Sequence, residues 1–146
     1  MIVLDTNVIS EPLRHSPNPL IVEWIDAQVI ETLYVTAITI AELRFGIAMM
    51  AAGKRRDGLL ERIEDDVLPL FDERVLYFDM PAAQSYGTLM AKARAKGLAV
   101  GTADGYIAAT VAANGMKIAT RDTNPFEAVG ISVLNPWDTA EHIDNN

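Results

Sequence analysis

Residues 1–10 read MIVLDTNVIS, and this stretch decides the fold. An apolar run, Ile2 to Leu4, leads directly into an acid, Asp5. Such a run is typical of a strand buried on both faces of a parallel sheet, where an unpartnered charge is costly. The sequence therefore raises the question of why Asp5 occupies this position and whether other acids accompany it.

The length and composition predict one folded domain. The chain has 146 residues, 50% of them hydrophobic, with a mean hydropathy of +0.15, which excludes a disordered protein. We expect a single domain over residues 1–137 and a polar, flexible tail over residues 138–146. The sequence shows no signal peptide and no apolar stretch long enough to span a bilayer, so we expect a cytoplasmic protein without membrane contact.

The charged and metal-binding residue types restrict the chemistry. Cysteine is absent and there are only two histidines, His15 and His142, which excludes thiolate sites and zinc clusters. The formal net charge is −8, from 20 acids and 12 bases, and alone it argues against a nucleic-acid partner. That argument weakens if some of the acids together bind a cation.

The sequence alternates between strand and helix patterns. Strands are predicted at residues 2–5, 33–37, 75–79, 117–120 and 131–134. Helices are predicted at residues 19–28, 40–52, 56–68, 81–96 and 103–113. Alternation of this kind predicts an α/β fold, a three-layer α/β/α sandwich around a mainly parallel sheet, with the last two strands at or near its edges.

Four acids fall where this fold would bring them together. Asp5 and Asp122 follow predicted strands, whereas Glu42 and Asp104 lie in the first turns of predicted helices. In an open parallel sheet the carboxyl ends of strands and the amino ends of helices share one edge, where ligands bind. The sequence therefore predicts one acidic pocket at this edge.

Each acid also has a purely structural interpretation. Glu42 completes a capping box with Thr39, and Asp104 suits the dipole at a helix start. Asp122 is typical of a turn, and Asp5 of an Asx turn that leads into a helix. These interpretations do not explain why all four acids fall on the same edge.

A pocket of carboxylates without cysteine or histidine favours hard cations, Mg²⁺ or Mn²⁺. Carboxylates held close together repel one another, and a cation relieves that repulsion. A cation held in this way can activate water and stabilise a leaving oxygen, so the natural substrate class is a phosphodiester.

Four segments resemble a known family when taken together and in order: MIVLDTNVISE (1–11), TAITIAELRFG (36–46), ADGYIAAT (103–110) and ATRD (119–122). They are similar to the PIN-domain nucleases and, more narrowly, to VapC-type toxins of bacterial toxin–antitoxin pairs, in the FitB-like branch. The resemblance implies a small α/β/α ribonuclease, an endonuclease that depends on Mg²⁺ or Mn²⁺. The matching acids are Asp5, Glu42, Asp104 and Asp122. Thr120 matches the family's hydroxyl residue at the end of the fourth core strand, and Thr6 matches its polar residue after the first acid.

The resemblance also suggests roles for these residues. The expected metal ligands, direct or through water, are Asp5, Asp104 and Asp122, and Glu42 is expected to hold a metal-bound water or a second cation. The residues expected to hydrogen-bond and orient the carboxylates are Thr6, Asn7 and Thr120. Arg44 and Arg121 flank the acids and could touch phosphate, although a solvated or ion-paired arginine is the preferred interpretation.

The resemblance implies partners as well as a substrate. It predicts an RNA substrate, a homodimer or higher oligomer, and a DNA-binding antitoxin whose tail lies in a groove leading to the acids. Residues 40–52, IAELRFGIAMMAA, are apolar nearly all round, which indicates a helix buried on most faces by the core or by a partner.

Two other functions compete with the nuclease interpretation. The first is a PIN-like module that is catalytically weak or inactive and acts in a DNA-binding complex. The second is a phosphatase of the haloacid-dehalogenase type, which needs a second aspartate two residues after the first. Asn7 occupies that position, so the proton donor of such a phosphatase is missing.

Overall fold

The structure, a computed structural model, describes residues 1–138. Five parallel strands form one sheet in the order β3-β2-β1-β4-β5. They are β1 (Ile2–Leu4), β2 (Leu33–Thr36), β3 (Val75–Leu76), β4 (Lys117–Ala119) and β5 (Val133–Leu134). The N-terminal strand is thus the central one, and β5 forms an edge beside β4, as predicted.

Helices connect the strands. They are α1 (Thr6–Ile9), α2 (Pro19–Asp26), α3 (Ala37–Ala48), α4 (Lys54–Arg62), α5 (Met80–Ala95), α6 (Thr102–Ala113) and α7 (Asn124–Ala128). Short 3-10 turns span Glu11–Leu13, Ile30–Thr32 and Leu68–Phe71, and a π-helical turn spans Ile63–Val67. No helix within residues 1–138 is long and apolar enough to cross a membrane.

The sheet separates two apolar layers, because successive side chains of β1 point to opposite faces. Leu4 packs in a cluster with residues of α1, α3 and β2, including Leu43. Val3 packs on the other face with residues of α6 and α7, including Ile107 and Phe126. The predicted three-layer α/β/α sandwich is therefore confirmed.

The helix predicted at 40–52 begins three residues earlier, at Ala37. Thr36, the last residue of β2, is its N-cap, and its hydroxyl accepts a hydrogen bond from the backbone N–H of Thr39 at 3.0 Å. The alternative interpretation of Glu42 as the partner of Thr39 in a capping box is therefore wrong. Glu42 lies in the second turn, so its side chain is available for another contact.

The segment predicted as one helix at 56–68 begins earlier and continues past Pro69. The α4 helix passes into the π turn and then into the 3-10 turn Leu68–Phe71, which holds Pro69 in its first positions. Proline lacks a backbone N–H, which costs little at the start of a turn. The strand predicted at 75–79 is also shorter, since only Val75 and Leu76 pair with β2. Of the predicted tail, residues 139–146 lie outside the described residues.

Candidate acidic site

Asp5 lies between the end of β1 and the start of α1, and only 5% of its surface is exposed. Its backbone N–H donates to the carbonyl of Ala119 at 3.0 Å, which continues the pairing of β1 with β4. One carboxylate oxygen accepts from the backbone N–H of Thr6 at 2.8 Å. The other accepts from the Thr120 hydroxyl, also at 2.8 Å. Asp5 is therefore both a helix cap and a buried, oriented carboxylate.

Thr120 joins the ends of the two central strands. Its fully buried hydroxyl donates to Asp5 and accepts from the side-chain amide of Asn7 and the backbone N–H of Asp122, each at 3.1 Å. Asn7 completes the connection, because its carbonyl oxygen accepts from the backbone N–H of Arg121 at 3.1 Å. Asn7 thus holds Thr120 and the following loop, and the structure gives it no bond to a site carboxylate.

Glu42 reaches the same edge from α3. The Thr6 hydroxyl donates to a carboxylate oxygen of Glu42 at 2.8 Å. Thr6 thereby connects the two acids: its backbone N–H bonds to Asp5 and its hydroxyl bonds to Glu42. Glu42, thirty-six residues after Thr6 in the sequence, is thus hydrogen-bonded to the start of α1.

Asp104 lies half-buried in the first turn of α6, and Asp122 lies exposed just after β4. Burial raises the pKa of Asp5, and the negative charges of Glu42 and Asp122 raise it further against the lowering effect of its two hydrogen bonds. Burial also raises the pKa of Asp104, with added contributions from Asp5 and Asp122. Asp5 therefore lies close enough to interact electrostatically with Glu42, Asp104 and Asp122.

The donor set at this edge suits a hard cation. In the described part of the chain, no lysine, arginine or histidine forms a salt bridge with any of the four acids. Negative charge is thus concentrated without a basic partner. No group of three or more acids within residues 1–138 is arranged to hold one metal ion directly. Carboxylate oxygens are nevertheless the ligands that Mg²⁺ and other hard cations prefer.

An apolar groove begins beside Thr6 and Glu42. It has a volume of about 290 Å³ and runs between α1, α3 and the α4 region. Its lining includes Leu13, Leu43 and Ile47, with Arg14 and Arg55 also among its residues. Two neighbouring side chains of the apolar segment 40–52, Phe45 and Met49, are 67% and 71% exposed. Some side chains of this segment therefore pack in the core, whereas others are exposed to solvent.

Sequence reasoning gave no role to the glycine that follows Asp104. A Cβ atom on Gly105 would lie 2.9 Å from the Met90 sulfur and 3.1 Å from a Tyr86 ring carbon. Glycine thus allows α6 to approach α5 closely at the turn that carries Asp104. The isolated glycine inside the helix predicted at residues 103–113 is the sequence signal from which such a contact could have been found.

Comparisons with known proteins identify the family and agree with the fold. The PIN domain model matches residues 2–131. The chain is 58% identical over 140 residues to "VapC ribonuclease Y4jK" of Sinorhizobium fredii, covering 96% of this chain and 100% of that protein. It is 49% identical over 137 residues to "Toxin FitB" of Neisseria gonorrhoeae, covering 94% and 99% of the two chains. A structure of FitAB bound to an IR36 DNA fragment superposes with a TM-score of 0.90 at 49% identity, covering 94% of this chain and 96% of that one.

Proposed function

The chain belongs to the PIN-domain family, and from that premise we propose that it is a metal-dependent endoribonuclease that hydrolyses RNA phosphodiester bonds. The observation that carries the proposal is a buried carboxylate, Asp5, at a sheet edge where Glu42 and Asp122 raise its pKa and where it in turn raises the pKa of Asp104. The relative named a VapC ribonuclease supports the same reaction.

The proposed cofactor is Mg²⁺ or Mn²⁺, held by Asp5, Asp104 and Asp122 directly or through water. Glu42 is proposed to hold a water or a second cation. When bound, the cation supplies Lewis-acid activation of the phosphodiester and makes a water more acidic. The absence of cysteine and the carboxylate donors both favour these hard ions.

The proposed task of the surrounding residues is to keep the carboxylates in place. Thr120 and the backbone of Thr6 occupy one lone pair on each oxygen of Asp5, so the carboxylate cannot rotate freely. The Thr6 hydroxyl restrains Glu42 in the same way. Oriented carboxylates lose less freedom when a cation binds, and hydrogen bonds of this kind commonly support metal ligands.

We also propose that the chain is the toxin of a toxin–antitoxin pair, as its relative Toxin FitB is named. The antitoxin would bind DNA, which the DNA-bound FitAB structure supports. The apolar groove beside Thr6 and Glu42 is the proposed place for its tail. The exposed Phe45 and Met49 support a further apolar contact, for which we propose a homodimer or higher oligomer.

A second candidate is a PIN-like module that acts in a DNA-binding complex without cleaving RNA. Its specific support is the structure of FitAB bound to an IR36 DNA fragment, whose matched chain is 49% identical to this one. The two candidates differ in what purified, partner-free protein does to structured RNA in Mg²⁺ or Mn²⁺. Cleavage that EDTA abolishes favours the nuclease, and intact RNA favours the module.

Asp5→Asn tests the nuclease proposal, because asparagine keeps the size of the side chain and removes its charge. Cleavage should fall by about 100-fold or more if the carboxylate supports the transition state through the cation. The rise in melting temperature caused by Mg²⁺ should also shrink. Asp65→Asn, at an exposed position in the π turn, is the control and should leave both readouts unchanged. Unchanged cleavage and an unchanged Mg²⁺ effect in Asp5→Asn would remove the metal-ligand role.

A further inference from the structure

Arg121 occupies an unusual position at the acidic edge. It lies between Thr120 and Asp122, is exposed, and is held through its backbone N–H by Asn7. No carboxylate within residues 1–138 forms a salt bridge with its guanidinium group. The guanidinium carbon lies instead 5.2 Å from the centroid of the Trp137 ring.

Arg44, by contrast, forms an ordinary surface ion pair. It also flanks a site acid in sequence, but its guanidinium pairs with Glu64 at 2.6 Å on the surface. The sequence-based preference for an ion-paired or solvated arginine thus holds for Arg44. Arg121 differs, because the Trp137 ring orients its guanidinium group and no acceptor within residues 1–138 takes a hydrogen bond from that group.

We propose that Arg121, positioned by Trp137, binds a phosphate of the RNA strand next to the phosphate that is hydrolysed. The inference rests on the proposed ribonuclease function. A guanidinium group presents a planar set of donors that matches phosphate oxygens. Arg121 also supplies positive charge to the rim of an acidic pocket in a chain of net charge −8, which would otherwise repel an RNA backbone.

Hydrogen bonds connect the backbone of Arg121 to the acidic site. The Asn7 side chain bonds both to the Thr120 hydroxyl and to the backbone of Arg121, and Thr120 bonds to Asp5. The backbone of Arg121 is therefore fixed relative to the buried carboxylate. Trp137 is partly buried against the core, so its ring gives the guanidinium a fixed surface. A guanidinium group held in a fixed position can set the register of an RNA strand across the pocket.

The test uses four variants of the full chain: Arg121→Gln, Arg121→Lys, Trp137→Leu and, as control, Arg44→Gln. The probe is a short single-stranded RNA that the wild type cleaves. Its affinity is measured at several salt concentrations with Ca²⁺ in place of Mg²⁺, and kcat and KM are measured separately in Mg²⁺. Circular dichroism and melting temperature establish that each variant is folded.

Arg121→Gln should weaken RNA binding about tenfold and reduce the slope of log affinity against log salt by about 0.7, the loss of one phosphate contact on a single strand. KM should rise more than kcat falls. Arg121→Lys should keep the slope, because the charge remains, but lose part of the affinity. Trp137→Leu should also keep the slope and weaken binding less than Arg121→Gln does.

The outcomes separate this inference from the proposed function. If the wild type neither binds nor cleaves RNA, the ribonuclease proposal itself fails. If the wild type cleaves, and Arg121→Gln matches Arg44→Gln in salt slope and KM, the phosphate contact is wrong. If Arg121→Gln has its expected effect and folded Trp137→Leu behaves as wild type, the positioning role of Trp137 is wrong.

Discussion

Replacing Thr120 with valine would test how the acidic site is held together. Valine has nearly the same shape as threonine, so the change removes a hydroxyl from a fully buried position without opening a cavity. The hydroxyl has three partners: it donates to Asp5 and accepts from Asn7 and from the backbone of Asp122. All three bonds are lost together.

The expected cost follows from these partners. A hydrogen bond to a charged group contributes about 1.5–3 kcal/mol and a neutral bond about 0.5–1.5 kcal/mol. The freed N–H of exposed Asp122 can bond to water, whereas Asp5 stays buried without its donor. We therefore expect Thr120→Val to lower the free energy of unfolding by about 2–4 kcal/mol. The pKa of Asp5 should rise further, because the bond from Thr120 lowers it.

Thr110→Val is the matched control. Thr110 is equally buried, but its hydroxyl donates at 2.8 Å to the carbonyl of Tyr106, four residues earlier in the same helix. That carbonyl keeps its helical backbone bond when the hydroxyl is removed. The control should therefore cost less than about 1 kcal/mol.

The assay is urea unfolding in EDTA, followed by circular dichroism, for the wild type and both valine variants. A second series in Mg²⁺ measures how much the cation stabilises each protein. Thr120→Val should unfold at lower urea than Thr110→Val and gain less from Mg²⁺. Equal midpoints for the two variants would refute the idea that Thr120 anchors Asp5.

Two other features give measurable expectations. Burial raises the folded-state pKa of Asp5 and Asp104 above the ordinary value of 3.8, so both groups contribute full stability below that value and lose it as pH rises through the raised pKa. In EDTA, Asp5→Asn should therefore become more stable relative to the wild type as the pH rises from 3.8 through the raised pKa. Parallel plots of unfolding free energy against pH for the two proteins would contradict this. Gly105→Ala should be close to neutral in melting temperature, because the end of the Met90 side chain and the Tyr86 ring must shift to admit the methyl, which offsets the helix-propensity gain of about 0.5–1 kcal/mol. Gly58→Ala, inside α4 with open space around the added methyl, should instead stabilise by about 0.5–1 kcal/mol, and the opposite order in thermal melts would show the packing argument to be mistaken.

Much of the site could be predicted because it depends on topology. Parallel strands must end on a common edge, so placing Asp5 after β1 and Asp122 after β4 also placed them near each other. The hydroxyl bond between Thr120 and Asp5, which the family resemblance suggested in outline, follows from that adjacency. The edge could be found from the sequence because apolar runs locate strands reliably.

Other features depended on choices that the sequence leaves open. Thr36 and Thr39 are both suitable caps for α3, and the strand end decides in favour of Thr36. The partner of Glu42 is Thr6, and that contact exists only once α1 and α3 have packed together. The contact between Arg121 and Trp137 joins residues sixteen positions apart through tertiary structure, and no local sequence pattern predicts it.

The bond between Asp5 and Thr120 spans 115 residues, which has a consequence for biosynthesis. The ribosome makes β1 first, yet β1 is the central strand and both of its neighbours, β2 and β4, are made later. Asp5 leaves the ribosome long before its hydroxyl donor exists, so a nascent chain shorter than 120 residues has no assembled acidic edge. Synthesis beyond residue 120 is thus a physical condition for the site to form, and products of translation interrupted before that residue lack it.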